Sequence, residues 1–432
     1  MLKRFILAAL MFAAVPTAVA AEAPLTPDTA VAAALQHNPA VIEAGKRWEE
    51  KANRVTAARA LPNPVFGVMK DDVPTSSINP LDGMMTEYTL SQEFMNPGKL
   101  NAMEKMAVSE AAMGAAEYEA KKLDIATQVR LAYYDYLYNT RAARIMQENQ
   151  QLMRQLVDLA QVNYATGMTS LQDALKAQTE VARMDAELAG MEAMTAAAAG
   201  RLNTLLGRPA DAPLQLAEVF AAAAPDQLAG LSNYAPAAPG IRGMEQQVEM
   251  AKSGVELAKR QSNPDFEVSL GYKTYKAMTS SGQDSMGMPV TTRSRQPSTW
   301  NVGVMVMIPL WDDKNKADVR AATASLEASQ AALQTMRNMQ AMDFQMALAD
   351  ARAFWRQIEL YQKVVIPQSE AAYQAAIAGY GSGKVDMMDM LEGAATLRDV
   401  QLALYKARVE YEKAAALLAK AAGSESEKAS KE

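Results

Sequence analysis

The strongest constraint on this chain is that one motif occurs in it twice. Tyr164 to Leu175 (YATGMTSLQDAL) and Tyr380 to Leu391 (YGSGKVDMMDML) share Tyr-x-x-Gly-x5-Asp-x-Leu at an offset of 216 residues, and Asn63-Pro64 recurs as Asn263-Pro264 at an offset of 200. Two landmarks at similar spacing identify a tandem duplication of units of about 200 residues. In each copy a long Ala-rich helical pattern runs into a Gly, which permits the positive φ that ends a helix, and a second helical pattern leaves it. Each copy reads as the tip of a helical hairpin, with Gly167 and Gly383 in the turns.

Between its helical patterns each repeat changes to a period of two. Phe266, Val268, Leu270 and Tyr272 alternate with Glu267, Ser269, Gly271 and Lys273. Trp300, Val302, Val304, Val306 and Ile308 alternate with Asn301, Gly303, Met305 and Met307. The first repeat has weaker equivalents at Val65 to Lys70 and Met84 to Phe94. Runs of about 10 residues with one apolar face and aromatics near the ends fit transmembrane β-barrel strands, and equally a half-buried antiparallel sheet. Four strands cannot close a membrane barrel, whose minimum is about 8, so a barrel requires several chains. The segments Asp71 to Gly83 and Ala277 to Ser298, rich in Ser, Pro and Gly, read as exposed loops.

The helices are too long for a globular domain. Asn101 to Tyr164 holds 64 residues without a Pro, roughly 100 Å of helix. In the second repeat Val319, Leu326 and Leu333 recur every seven residues with Ala322, Ser329 and Met336 between them, a coiled-coil seam of small residues. Pro367 is expected to break that helix. The return helices are expected from Thr169 to Leu206 and from Val385 to Ala422.

The first 20 residues, with Lys3 and Arg4, an apolar run and Ala18-Val19-Ala20, read as an export signal. Its removal takes the formal charge from −6 to −8, and nothing in the charge pattern suggests nucleic acid. The chain has no Cys, which excludes disulfides, thiolate metal sites and a lipid anchor on Cys. With His37 as the one His and no Gly-rich phosphate loop, no catalytic constellation is present, and neither an enzyme activity nor a cofactor is expected. The organisation is therefore a signal (1–20), a first repeat (21–207), an Ala/Pro-rich linker (208–240), a second repeat (241–422) and a polar tail (423–432) expected to be disordered.

The order of these features resembles the outer-membrane efflux protein family, the TolC-like channels of tripartite export systems. The carriers are LTPDTAVAAALQHNP, the strand-opening LPNP and SNPDF, the helix-opening PGK and PLWDDKNKA, the two tip motifs and LNTLLGRP. The resemblance implies a homotrimer in the outer membrane. Its 12-stranded barrel would continue into an α-helical coiled-coil tunnel in the periplasm, where an adaptor (membrane fusion protein) and an inner-membrane pump dock. One departure is the missing lipidated Cys of many relatives, which leaves anchoring to the barrel in outer-membrane lipid. The rival reading, a periplasmic coiled-coil scaffold or adaptor without a pore, leaves the two strand pairs unexplained.

By resemblance Asp389 and Glu392, three apart on one helical face, are the acidic aperture positions. Asp173, the first repeat's equivalent of Asp389, is expected to join the gate, pairing with Tyr380 or Lys384 across a closed tip. Gly167 and Gly383 are the expected adaptor-docking turns. The 29 Met residues raise a further option, because thioethers suit soft ions such as Cu(I) or Ag(I). Met305 and Met307 on the presumed passage face and Met387, Met388 and Met390 near the aperture are the candidate contacts, with Met278, Met286 and Met288 in the external loop. Met336, Met339, Met342 and Met346 read as packing. Export of a heavy metal, of organic compounds or of a protein all stay open at this point.

Overall fold

A computed structural model of the chain describes residues 24–73, 75, 77–165, 170–220, 222–382 and 384–424. The expected signal, Gly167, Gly383 and tail residues 425–432 lie outside the described residues. In chain order the elements begin with α1 (Pro27–His37), α2 (Pro39–Ala58), β1 (Val65–Asp71), β2 (Met85–Phe94), α3 (Pro97–Ala165) and α4 (Leu171–Leu205). After a linker holding the short α5 (Pro225–Ala229) come α6 (Pro239–Arg260), β3 (Asp265–Tyr275), β4 (Met278–Gln283), β5 (Pro289–Ser294) and β6 (Thr299–Met307). Helices α7 (Asp312–Leu360), α8 (Ile366–Gly381) and α9 (Met387–Ala422) complete the chain. Among the described residues no helix is long and apolar enough to cross a membrane.

The chain forms two compact units, and they are not the two repeats. One takes Met1–Asn38, Ile125–Ala222 and Ala351–Lys413; the other takes Pro39–Asp124, Ala223–Asp350 and Ala414–Glu432. Each unit draws on both repeats, and α3, α7 and α9 each contribute residues to both.

In the first unit the linker is fastened to the helices. Leu25 and Leu216 form a short parallel bridge, and the Tyr133 hydroxyl donates to the carbonyls of Leu25 (2.9 Å) and Ala217. Phe220 lies between Tyr134 and Tyr405, with ring centroids 6.3 and 5.7 Å away. The buried Glu412 carboxylate accepts from the Tyr134 hydroxyl (3.0 Å) and the Ala222 N–H (2.9 Å). Burial, and secondarily the Glu412 charge, pushes the Tyr134 pKa far above the usual tyrosine value. At the end of α4, Gly207 adopts φ +70, and a Cβ there would meet the His37 carbonyl oxygen at 2.8 Å. Neighbouring Asn38 interrupts α1 from α2 and donates to the Leu205 carbonyl at 2.8 Å, so His37 and Asn38 serve this junction. Pro367 does not break its helix as expected. A π turn at Tyr361–Val365 takes up the missing N–H, with Ile366 N–H bonded back to Tyr361, and α8 continues from it.

In the second unit the expected seam on α7 is confirmed position by position. Val319, Ala322, Leu326, Ser329, Leu333 and Met336 are the buried or half-buried residues of Val319–Met336 apart from Ala332, which neighbours Leu333. Met339, Met342 and Met346, expected to be packed, are instead exposed in the single chain. Trp48 stacks on Tyr118 at 5.8 Å, and Arg337 pairs with Glu245 at 2.8 Å.

This unit also holds an antiparallel sheet in the order β1-β2-β3-β6. Its register aligns Phe66, Leu90, Leu270 and Val302 in one row and Val68, Tyr88, Tyr272 and Trp300 in another. The period-2 patterns of four segments thus fall into one continuous apolar face, and these eight side chains are all exposed or half-exposed. The segment Ala277 to Ser298, expected as a loop, contains the β4–β5 hairpin. Both of its faces are exposed and neither is apolar, so it leaves no alternation to read.

Candidate functional site

The hairpin-tip region of the first unit is built on a methionine-rich core. Met146, Met153, Val157 and Ala160 of α3 pack with Ala174, Ala177 and Met184 of α4 and with Met387, Met390 and Leu391 of α9; Ala376 and Tyr380 of α8 close against them. The α8–α9 connection is tight. Lys384 N–H and the Ser382 hydroxyl both donate to the Gly379 carbonyl, at 2.9 and 3.0 Å. A Cβ on Gly379 would lie 2.4 Å from Val385 Cγ2, so any side chain here would force Val385 to shift.

This packing changes the reading of the tip methionines. Met387 and Met390 are each 1% exposed, whereas Met388 is 40% exposed. The sequence expectation of three accessible thioethers is therefore corrected to one. The other two occupy the i and i+3 positions that face the helix core, and their thioethers fill its irregular spaces.

Asp389 and Glu392 are both exposed. Asp389 sits in the first turn of α9, its N–H donating to the Asp386 carboxylate at 2.9 Å. Glu392 and Met388 line an open groove of about 810 Å³ with Leu171, Leu175, Lys176 and Arg183 of α4. Asp173 forms a capping box at the start of α4: its N–H donates to the Ser170 hydroxyl at 3.2 Å, and its carboxylate accepts from the same hydroxyl at 2.8 Å. Lys384 is exposed, and Tyr380 packs against the core from α8. The structure thus brings Met388 and Glu392 to one groove and leaves Asp389 exposed in the first turn of the same helix.

Sequence reasoning passed over Arg398, seven residues after Leu391 on α9. Its side chain is buried and bonds to Asp399 at 2.9 Å, while its Nη1 has no partner among the described residues. The signal was available, because the i, i+7 spacing from a core leucine marks the same helical face.

The sheet of the second unit has the opposite kind of surface on its other face. Glu87, Thr89, Ser91 and Glu93 of β2 register with Lys273, Gly271, Ser269 and Glu267 of β3, and the β6 partners beyond include Asn301, Gly303, Met305 and Met307. Glu87 is held by Lys273 (3.4 Å) and by the Asn301 amide (3.4 Å). At the far end Lys99, 4% exposed, pairs with Asp265, 17% exposed, at 2.6 Å, and Asp265 also accepts the Asn96 N–H at 2.7 Å. These contacts join the start of α3 to β3. Met305 and Met307 are exposed. Among the described residues no group of three His, Cys, Asp or Glu side chains could hold a metal ion.

Residues 30–208 and 231–424 match the profile of a family described as outer membrane efflux protein. The chain is similar to the cobalt-zinc-cadmium resistance protein CzcC of Cupriavidus metallidurans, 24% identical over 400 residues that cover 90% of this chain and 86% of that one. It is similar to nodulation protein T of Rhizobium leguminosarum bv. trifolii, 24% identical over 332 residues, 73% of this chain and 67% of that one. Among solved structures it resembles CusC, with a TM-score of 0.77 at 17% identity over 92% of both chains. It also resembles the outer membrane protein VceC of Vibrio cholerae, with a TM-score of 0.75 at 20% identity over 92% of this chain and 96% of that one.

Proposed function

The chain belongs to the outer membrane efflux protein family, and we propose that it is the exit duct of a tripartite system, passing substrate from an inner-membrane pump and a periplasmic adaptor across the outer membrane. The observation that carries this reading is the sheet. One face is predominantly apolar, the edge strands β1 and β6 have no further partner among the described residues, and four strands are too few to close a membrane barrel. Closure therefore takes strands from several copies, and the family resemblance, which implies 12 strands from three chains, is the reason to propose a homotrimer. A duct of this kind performs no covalent chemistry.

The tips are the proposed contact with the adaptor. The groove between α4 and α9 offers Leu171, Leu175, Met388 and Leu391 flanked by Lys176, Glu180, Arg183 and Glu392, a surface suited to an amphipathic helical hairpin; Gly167 and Gly383, outside the described residues, stay as proposed docking positions. In a trimer Asp389 and Glu392 would contribute six carboxylates, and a negative constriction concentrates cations. Heavy-metal ions are the proposed cargo. The similarity to CzcC, named for cobalt, zinc and cadmium resistance, supports this, and the exposed Met305, Met307 and Met388 would offer soft ions transient contacts.

Two measurements test the proposal. Detergent extraction of outer membranes is expected to yield a heat-resistant trimer, and a soluble periplasmic monomer would end the duct reading. A deletion strain is expected to lose tolerance to metal ions while keeping tolerance to dyes and detergents; the reverse pattern assigns the duct to organic compounds.

A further inference from the structure

The four methionines of the four-stranded sheet are Met69, Met85, Met305 and Met307, and all lie on its polar face. Phe66, Val68, Tyr88, Leu90, Phe94, Phe266, Val268, Leu270, Tyr272, Trp300, Val302, Val304 and Val306 lie on the other. Of the bulky apolar side chains, only the strand-end residues Val65 and Tyr275 share the methionines' face. A methionine serving as a hydrophobic filler would sort with Val, Leu and Phe, because its transfer preference is comparable. Here the thioether sorts with Glu, Asp, Ser and Asn.

The register adds a second regularity. Each of these methionines stands directly across from a carboxylate: Met69 from Glu87, Met85 from Asp71, Met305 from Glu267 and Met307 from Asp265. Directly opposed residues hold their Cβ atoms about 5 Å apart, close enough for both side chains to meet one ion. Three of the four carboxylates are already engaged. Glu87 pairs with Lys273, Asp265 pairs with Lys99, and Asp71 accepts the Asp72 N–H at 2.9 Å. Glu267 has no ion pair among the described residues, and its other cross-strand neighbour is Glu93, a second carboxylate. Like charges directly opposed repel, and a bound cation relieves that repulsion.

We propose that Met305, Met307 and Glu267, with Glu93 beside them, form a site for a soft monovalent cation, Cu(I) or Ag(I), on the sheet's polar face. The inference rests on that face being the wall of the duct. Neutral thioethers supply softness, and the carboxylates supply charge. Zn(II) and Co(II) favour imidazole or thiolate, and the chain has no Cys and no His in the sheet. With two thioethers and carboxylates that also face water, the site holds an ion loosely and releases it, as a passage requires.

The test uses the full-length protein in detergent, titrated with silver nitrate alone and followed by calorimetry and by metal analysis after dialysis. M305L/M307L keeps side-chain volume and removes sulfur. It is expected to lower Ag(I) affinity about tenfold or more, and E267Q several-fold, while M339L/M342L/M346L, which alters exposed methionines of α7, leaves it unchanged. Equal loss in the α7 control, or undiminished binding in M305L/M307L, overturns the site. Conductance of the same preparations in planar bilayers separates the two claims. Wild-type protein that conducts while M305L/M307L binds silver normally refutes the site alone. Silver binding that depends on the sheet methionines, in protein that never conducts, upholds the site and refutes the duct.

Discussion

Replacing Asp265 with Ala should destabilise the junction between α3 and the sheet by about 3 kcal/mol, the lower part of the range for breaking a buried ion pair. The magnitude follows from what is stranded. Lys99 is 4% exposed, so its ammonium would stay desolvated without its carboxylate, and the Asn96 N–H would lose its 2.7 Å acceptor, about 1 kcal/mol of the total. Asp265 itself is 17% exposed, which admits some water and keeps the cost from the top of the range. Lys99→Met should cost less, about 1 to 2 kcal/mol, because the remaining carboxylate keeps the Asn96 N–H and a share of solvent. In D265A/K99M no charge remains buried, so the double variant should be no less stable than D265A alone, with a coupling of about 2 kcal/mol. Urea unfolding of protein reconstituted in lipid vesicles, followed by tryptophan fluorescence, measures all four species. A loss below about 1 kcal/mol in D265A, or additive singles, would show that the pair is peripheral and that packing alone holds the junction.

Gly207→Ala should lower stability by about 2 kcal/mol or more, since φ +70 is strained for alanine and the new Cβ would press on the His37 carbonyl at 2.8 Å; an unchanged thermal midpoint would contradict this. D389A/E392A should weaken multivalent-cation block and cation selectivity in planar bilayers, and unaltered block would place these side chains away from the passage. Burial, followed by the charge of Glu412, pushes the Tyr411 pKa up to about 12, above its ordinary value of 10.0. The folded state thus holds this proton more tightly than the unfolded chain does. The associated stability is complete below about pH 10 and lost as pH rises through about 12. The thermal midpoint should fall across that window, and Y411F should reduce the fall; equal alkaline sensitivity in both proteins would refute it.

Much of this fold is legible in the sequence because its elements are strongly periodic. The α7 seam from Val319 to Met336 emerges at the expected positions, and the four alternating strands fall into one register with their apolar sides together. The β4–β5 hairpin was not legible, because a ribbon wet on both sides has no reason to alternate. Burial of Met387 and Met390 was missed for a different reason: their chemistry suggested ligands, while their spacing with Leu391 marked the helix core. Asp389 and Glu392 were singled out by resemblance, in and just after the motif Tyr380 to Leu391, but that Glu392 shares a groove with α4 depends on tertiary packing. The pairing of strand methionines with carboxylates was equally hidden. Alternation assigns a residue to a face, and only the register between strands far apart in sequence assigns it a neighbour.

The π turn at Tyr361–Val365 lets this helix carry one residue more than its packing needs. A π turn accommodates one residue more than an α turn and so absorbs it locally; were all five residues to close as ordinary α-helix, everything that follows would rotate by roughly 100°. Tyr373, which packs beside Gly393, and Tyr380, which closes the tip core, would swing off their contacts together, whereas Trp355, ahead of the turn, would keep its place 5.2 Å from Tyr411. Substitutions at Gln362 or Lys363 should pass with little effect, because the turn's exposed side chains carry no packing. Deleting one of the five residues, so that the turn closes as ordinary α-helix, should instead leave Tyr373 and Tyr380 on their contacts, and the extra residue is one the packing can lose.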